Sequence, residues 1–163
     1  MFKKKIERFI KERLTGDVQK NALDFAAWLR ANDMRLERQT VGYWADKIYF
    51  ICSYTSEYVC YIAINEYDEN NFVVWSDDSG SMWFENPPLD ERTREIAWKN
   101  VNVCDDPSAC ESCKLRHGTR KTMFGKEFHS VCPTALKFIN PDAEEMACMK
   151  KLFKIRKADI LGG

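Results

Sequence analysis

Cysteine is the residue whose number and spacing in this chain can do chemistry. Seven are present, and four of them, Cys104, Cys110, Cys113 and Cys132, fall within twenty-nine residues at gaps of five, two and eighteen. A Cys-x-x-Cys pair lets one tight turn aim two sulfurs at a single tetrahedral centre, and two more thiolates from flanking segments complete a closed four-sulfur site. The spacing is therefore read as a structural zinc site. Cys110 and Cys113 are its firmest ligands and Cys104 and Cys132 come next, with His117, His129 or Cys148 able to replace one of them. An iron–sulfur cluster also takes four thiolates, so spacing alone leaves a cluster-bearing or thiol-based redox enzyme open as the alternative. Cysteine can also be plain apolar filling, but Asp105, Asp106, Ser108, Glu111, Ser112 and Lys114 are poor surroundings for that.

The same stretch is basic. Lys114, Arg116, Arg120, Lys121 and Lys126 interleave with His117 and Phe124 and offer local contacts to phosphate. Twenty-five Lys and Arg balance twenty-five Asp and Glu, however, so no overall basic field points to nucleic acid, and a solvated loop is the simpler outcome. His117 and His129, the only histidines, have no assigned partner for general-base work. No phosphate-cradling glycine loop, nucleophile elbow or His-Glu-x-x-His helix is present.

Something must position these residues, and 163 residues with 45 % hydrophobic and 13 % aromatic content are enough to bury one core. Phe2, Ile6, Phe9, Ile10 and Leu14 recur at helical spacing, ending near Thr15 and Gly16. Asp17 is read as the N-cap of a second helix with Val18, Ala22, Phe25, Ala26 and Leu29 along one stripe. Charged residues interrupt every apolar run of the N-terminal MFKKKIERFIKERL, so neither an export signal nor a membrane span is expected, and Glu7 and Glu12 dilute any membrane-binding face. The expectation is a soluble cytoplasmic protein with reduced thiols.

β-Branched and aromatic residues dominate after Met34. Strands are predicted at Val41 to Trp44, Ile48 to Tyr54, Tyr58 to Ile64 and Phe72 to Trp75, with a hairpin connection at 55–57 and a turn through 66–71. They form an antiparallel meander of three or four strands with two unlike faces, one packed on helices, in an α+β domain. The meander carries an aromatic surplus, and Tyr43, Trp44, Tyr61 and Trp75 are the candidate lining of a cleft for a small molecule or protein partner. Asp77 and Asp78, in a polar turn, lack the later acidic residue a calcium loop requires.

Beyond Pro87 and Pro88 a third helix is expected over 90–99. The cysteine segment, 100–135, is read as a loop inserted before the last helix, with a turn at Gly125 and with Met123, Phe124 and Phe128 docking it on the domain. Asn140 as cap and Pro141 as first residue open that helix, whose acidic start and basic end, Lys150 to Lys157 and including Arg156, suit its dipole. Met146, Met149, Leu152, Phe153 and Ile160 form its buried stripe, with Cys148 beside it in the core rather than at a metal.

The run KTMFGKEFHSVC, followed by INPDAEEMACMKKLFKIRKADI and preceded by the clustered cysteines, resembles the C-terminal part of small bacterial proteins in which a T-x-F-G-K-E-F segment leads to a further cysteine and Asn-Pro-Asp. The helix–meander–helix portion is similar, less closely, to YdhG-like and YjbR-like α+β domains. These resemblances imply the fold and carry no activity. The function expected is a binding protein of undefined ligand, stabilised by zinc.

Overall fold

The computed structural model describes residues 4–77, 81–104 and 118–162. Two helices come first, α1 (Ile6–Arg13) and α2 (Gly16–Ala31). Strands β1 (Arg35–Arg38), β2 (Ile48–Tyr54), β3 (Glu57–Ile64) and β4 (Phe72–Ser76) follow, then helix α3 (Glu91–Lys99). Strands β5 (Val101–Val103), β6 (Thr119–Met123) and β7 (Lys126–Ile139) and helix α4 (Ala143–Gly162) complete the described chain. The described strands join in one antiparallel sheet of order β1-β2-β3-β4-β7-β5, with β6 also paired to β7. This is the α+β arrangement of N-terminal helices, meander and C-terminal helix.

Alternation divides the sheet. Phe50, Cys52, Cys60, Ile62, Phe72, Val74 and Phe138 point to one side and meet Ile6, Phe9, Phe25, Leu29, Met149, Leu152 and Phe153 of the helices in one core. Phe25 is its hub, with ring centroids 6.4 Å from Phe72 and 6.0 Å from Phe153. Met146, Met149, Leu152 and Phe153 of the α4 stripe are buried as the periodicity predicts, Cys148 with them, while Ile160 is half-buried against the core.

Four local expectations are corrected. Val41 to Trp44 is not a strand: Gly42, at φ 62°, enters a short 3-10 turn over Gly42–Trp44, and the first strand is the earlier Arg35–Arg38, whose RLER sequence has no strand signature. The N-cap of α2 is Thr15, one residue before Gly16, so Asp17 lies inside the first turn. Asp142, not Asn140, caps α4, accepting from Glu145 N at 2.8 Å while Glu145 Oε1 reaches back to Asp142 N. Asn140 instead adopts φ 46° and ties β4 to the end of β7, its Oδ1 accepting from Phe72 N at 2.7 Å. Lastly, Arg156 does not belong to the solvated basic end of α4. It is 3 % exposed.

The predicted 100–135 loop is the largest difference, since its described parts are strands. Phe124 and Gly125, at φ 53° and 85°, make the two-residue turn between β6 and β7, the mirror-image type that matches strand twist. Phe124 nevertheless is fully buried, edge-on to Trp83 at 6.4 Å. Pro133 conceals the long strand from its sequence, because proline in a strand interior removes a ladder donor. The structure accommodates it in a register shift: Val101 faces Leu136 while Val103 faces Val131, so residues 132–135 bulge from the ladder.

Candidate functional site

Two of the four candidate zinc ligands lie at the β5–β7 pairing, Cys104 just past the end of β5 and Cys132 within β7. With Val103 opposite Val131, Cys104 lies beside Ser130: Cys104 N donates to Ser130 O at 2.9 Å, and Ser130 Oγ donates to Cys104 O at 2.7 Å. Cys132 follows Ser130 by two positions, at the start of the bulge, with Sγ 3.3 Å from Thr134 Oγ1. Both cysteines are free thiols and half-buried. Gly118 closes on the same point, since a Cβ there would stand 2.2 Å from Ser130 Oγ and 2.9 Å from Cys104 Cβ. Residues 104 and 118, the two ends of the intervening segment, thus converge on Ser130.

Cys110, Cys113 and His117 lie outside the described residues. Among the described residues no three His, Cys, Asp or Glu side chains gather as a metal would require. His129 is exposed, with Nδ1 3.3 Å from Arg120 Nη2. Cys148 sits in the core with Sγ donating to Thr93 O at 3.6 Å, and burial pushes its thiol up to about 12. The described members of the basic run rest on the protein itself. Arg120 pairs with Glu127 at 3.2 Å, Lys121 Nζ lies 5.6 Å from the Phe84 ring, and Lys126 Nζ is 5.5 Å from both Trp98 and Phe128.

The outer face of the sheet assembles all four predicted cleft residues. Register places Ile51, Tyr61, Trp75 and Lys137 in one row across β2, β3, β4 and β7, with Tyr49, Ala63, Val73 and Ile139 in the next. The 3-10 turn folds Trp44 over these rows, stacked on Tyr49 at 3.9 Å and 6° and 6.0 Å from Trp75. Tyr43 stands edge-on to Trp44 at 4.8 Å. Trp75 is 8 % exposed, so these rings fill one another's space as a small second core. Tyr67 and Ile139 rim the face, at 55 % and 45 % exposed, and Lys137 Nζ lies 5.4 Å from the Tyr67 ring.

Two phenols at this face, those of Tyr43 and Tyr61, are tied by hydrogen bonds to carboxylates. Tyr43 OH donates to Glu66 at 2.7 Å, and Lys47 Nζ donates to both, at 2.9 and 3.1 Å. Tyr61 OH donates to Asp77 at 2.6 Å; burial and then this carboxylate hold the phenol well above its ordinary range. Asp77 also lies 3.8 Å from the buried guanidinium of Arg156, which bonds Asp159 at 2.8 Å and donates twice to Tyr58 O. Sequence reasoning found the rings and missed their anchors Lys47, Glu66 and Arg156; the pairings of Lys47 with Glu66 and of Arg156 with Tyr58 O span 19 and 98 residues and leave no local pattern.

A third feature lies beside the β6–β7 turn. It is a cavity of about 560 Å³ between residues 119–122 of β6 and the segment carrying Ser81, Met82 and Phe84.

The class these features define is an α+β protein whose antiparallel sheet has one helix-packed face and one aromatic face. Beyond that class, no family model, curated protein or solved structure matches the chain.

Proposed function

We propose that this is a binding protein of the cytoplasm whose segment from Cys104 to Cys132 is stapled by one structural zinc ion held by Cys104, Cys110, Cys113 and Cys132, and whose ligand, a small molecule or a protein partner, engages the outer aromatic face. The observation that supports the zinc reading is the pairing of Cys104 with Ser130, two positions before Cys132 in β7, at the base of the segment that bears the Cys-x-x-Cys pair. Zinc suits such a segment because metal binding supplies folding free energy where apolar residues are few. The aromatic face suits a ligand because its rings combine apolar area with fixed polar atoms, and Tyr67 and Ile139 remain open at the rim.

Elemental analysis of protein purified without chelator, with an absorption spectrum, is the test. About one equivalent of zinc without colour, lost in Cys104→Ser and Cys110→Ser while the far-ultraviolet dichroism of the sheet persists, is the expected result. Absence of metal sinks the staple. Iron with visible absorption replaces it by a cluster and makes the cysteines the reactive centre.

A further inference from the structure

Two thiols face each other inside the sheet, far along the chain from the candidate zinc ligands. Register pairs Cys52 of β2 with Cys60 of β3, and both lie in the helix-packed core as free, fully buried thiols. Directly opposite residues of an antiparallel pair have Cα atoms about 4.5 or about 5.5 Å apart, within the range of roughly 4.4–6.8 Å that a disulfide spans. Joining the two sulfurs therefore needs no rearrangement of the strands. In the closed sheet, however, the pair is inert. Burial first, and then the neighbouring Cys52 thiol, hold the Cys60 thiol well above its ordinary range, and a protonated thiol is a poor nucleophile.

The end of the β2–β3 hairpin supplies the opening. Its two-residue turn is Thr55 and Ser56, at φ 47° and 71°. Asn-Gly is the usual choice where both turn residues need positive φ, and a β-branched residue held there is strained. Beside the turn the ladder is broken as well: Ser53 pairs with Tyr58 while Cys52 pairs with Cys60, so Val59 has no opposite residue in β2. Strain and a broken ladder make this end the part of the hairpin that opens first. Arg156 and the Asp77 amide hold the carbonyls of Tyr58 and Val59, so β3 stays in place and the end of β2 lifts, carrying Cys52 toward solvent. We propose that Cys52 and Cys60 are a site of reversible oxidative modification, joined as a disulfide by hydrogen peroxide that enters when the hairpin end opens, and that the bond clamps the hairpin shut. In the open form the Cys52 thiolate attacks one peroxide oxygen; the O–O bond breaks, hydroxide leaves, and Cys52 becomes a sulfenic acid. On reclosure the Cys60 sulfur attacks the sulfenic sulfur, the S–S bond forms, and the departing hydroxide takes the Cys60 proton as water. Two thiols and one peroxide thus give one disulfide and two waters, with two electrons passing from sulfur to oxygen, and a thiol reductant restores the pair.

The test treats the full chain as purified with hydrogen peroxide, quenches it by unfolding in an alkylating agent, and cuts it after glutamate without reduction. Cleavage at Glu37, Glu57 and Glu66 places Cys52 and Cys60 in separate peptides, 38–57 and 58–66. These are expected to appear joined, two hydrogens lighter than their sum, and to part on treatment with a thiol reductant. The oxidised protein should melt several degrees above the reduced one, and Cys60→Ala should lose that gain. Replacing the turn by Thr55→Asn with Ser56→Gly, which suits both positive φ values, is expected to slow the linkage about tenfold. Linkage at an unchanged rate in that variant overturns the opening route, and joining of Cys52 or Cys60 to any of the other cysteines in place of each other overturns the pairing. Met34 Sδ lies 3.8 Å from Cys52 Sγ and serves as an internal control. Oxidation of Met34 with both cysteine peptides recovered unlinked would show that peroxide reached the sulfurs and left the thiols apart, which sinks the proposal, as does the absence of any linked peptide.

Discussion

On the inner face of β2, β3 and β4 the side chains are Phe50, Cys52, Ile62, Phe72 and Val74; on the outer face, one residue along, they are Tyr49, Tyr61, Val73 and Trp75. Burial alone does not separate the two, because Tyr49 and Trp75 are each only 8 % exposed. What differs is how each ring is held. Inner side chains are fixed by volume, with three helices pressing on them, whereas outer rings are fixed by hydrogen bonds from their phenols to Glu66 and Asp77 and by the stack of Trp44 on Tyr49. Volume gives stability in proportion to apolar area, and directional bonds give a defined surface at modest net stabilisation. The inner face therefore sets whether the chain folds, and the outer face sets what it presents.

Mutations break this comparison in graded steps. Phe153→Ala empties the middle of the inner core and should cost about 4 kcal/mol in urea unfolding; a cost near that of an outer-face substitution would abolish the distinction. Arg156→Met joins the faces, since the guanidinium reaches from α4 to Asp77 and Tyr58. Leaving Asp77 and Tyr58 O short of this donor should cost about 3 kcal/mol, and the same variant should bring the Tyr61 phenol's titration downward only if Asp77 moves away. Trp44→Ala removes a half-buried stack and should cost roughly 1–2 kcal/mol, with tyrosine fluorescence of Tyr49 released from quenching while the near-ultraviolet dichroism of the inner core is unchanged.

The smallest effect belongs to Asp90, the N-cap of α3. Its carboxylate accepts from Thr93 N and Oγ1 and from Lys151 Nζ, and these bonds, Thr93 first, hold its pKa far below the usual range. A depressed folded pKa contributes stability that is complete above the unfolded value of about 3.9 and is lost as pH falls through the folded one. Asp90→Asn should thus lower the melting temperature slightly at pH 7 and converge with the unsubstituted protein in strong acid. Equal differences at both pH values would show that the cap acts without its charge.

The sequence made β2, β3 and β4 legible to within a residue because each is short, β-branched and bounded by turn residues. It made the gathering of Tyr43, Trp44, Tyr61 and Trp75 legible because period-two alternation puts Tyr61 and Trp75 on one face, although the covering 3-10 turn was expected as a strand. β1 was illegible: RLER owes its pairing to β2 and not to its own propensity. β7 was hidden by Pro133, whose tolerance depends on a bulge created by β5. Arg156 shows the same limit, since a basic residue near a helix C-terminus reads as solvated until a carbonyl 98 residues away comes to receive it. Of the candidate zinc ligands, spacing proposed the set and strand pairing set Cys104 beside Ser130, two positions before Cys132, while Cys110 and Cys113 lie outside the described residues.

The long β7 also orders events in time. Its first half closes on β6 across a two-residue turn, which a hairpin accomplishes in about 1–10 μs, whereas its last three residues must find β4, with Val73 pairing Ile139. Closing so distant a pair before any contact rewards it is the slow step of such a sheet. The hairpin is thus a seed that waits, and Asn140, bonded to Phe72 just past the end of β7, is the latch that finishes the sheet and frees α4 to settle on its inner face.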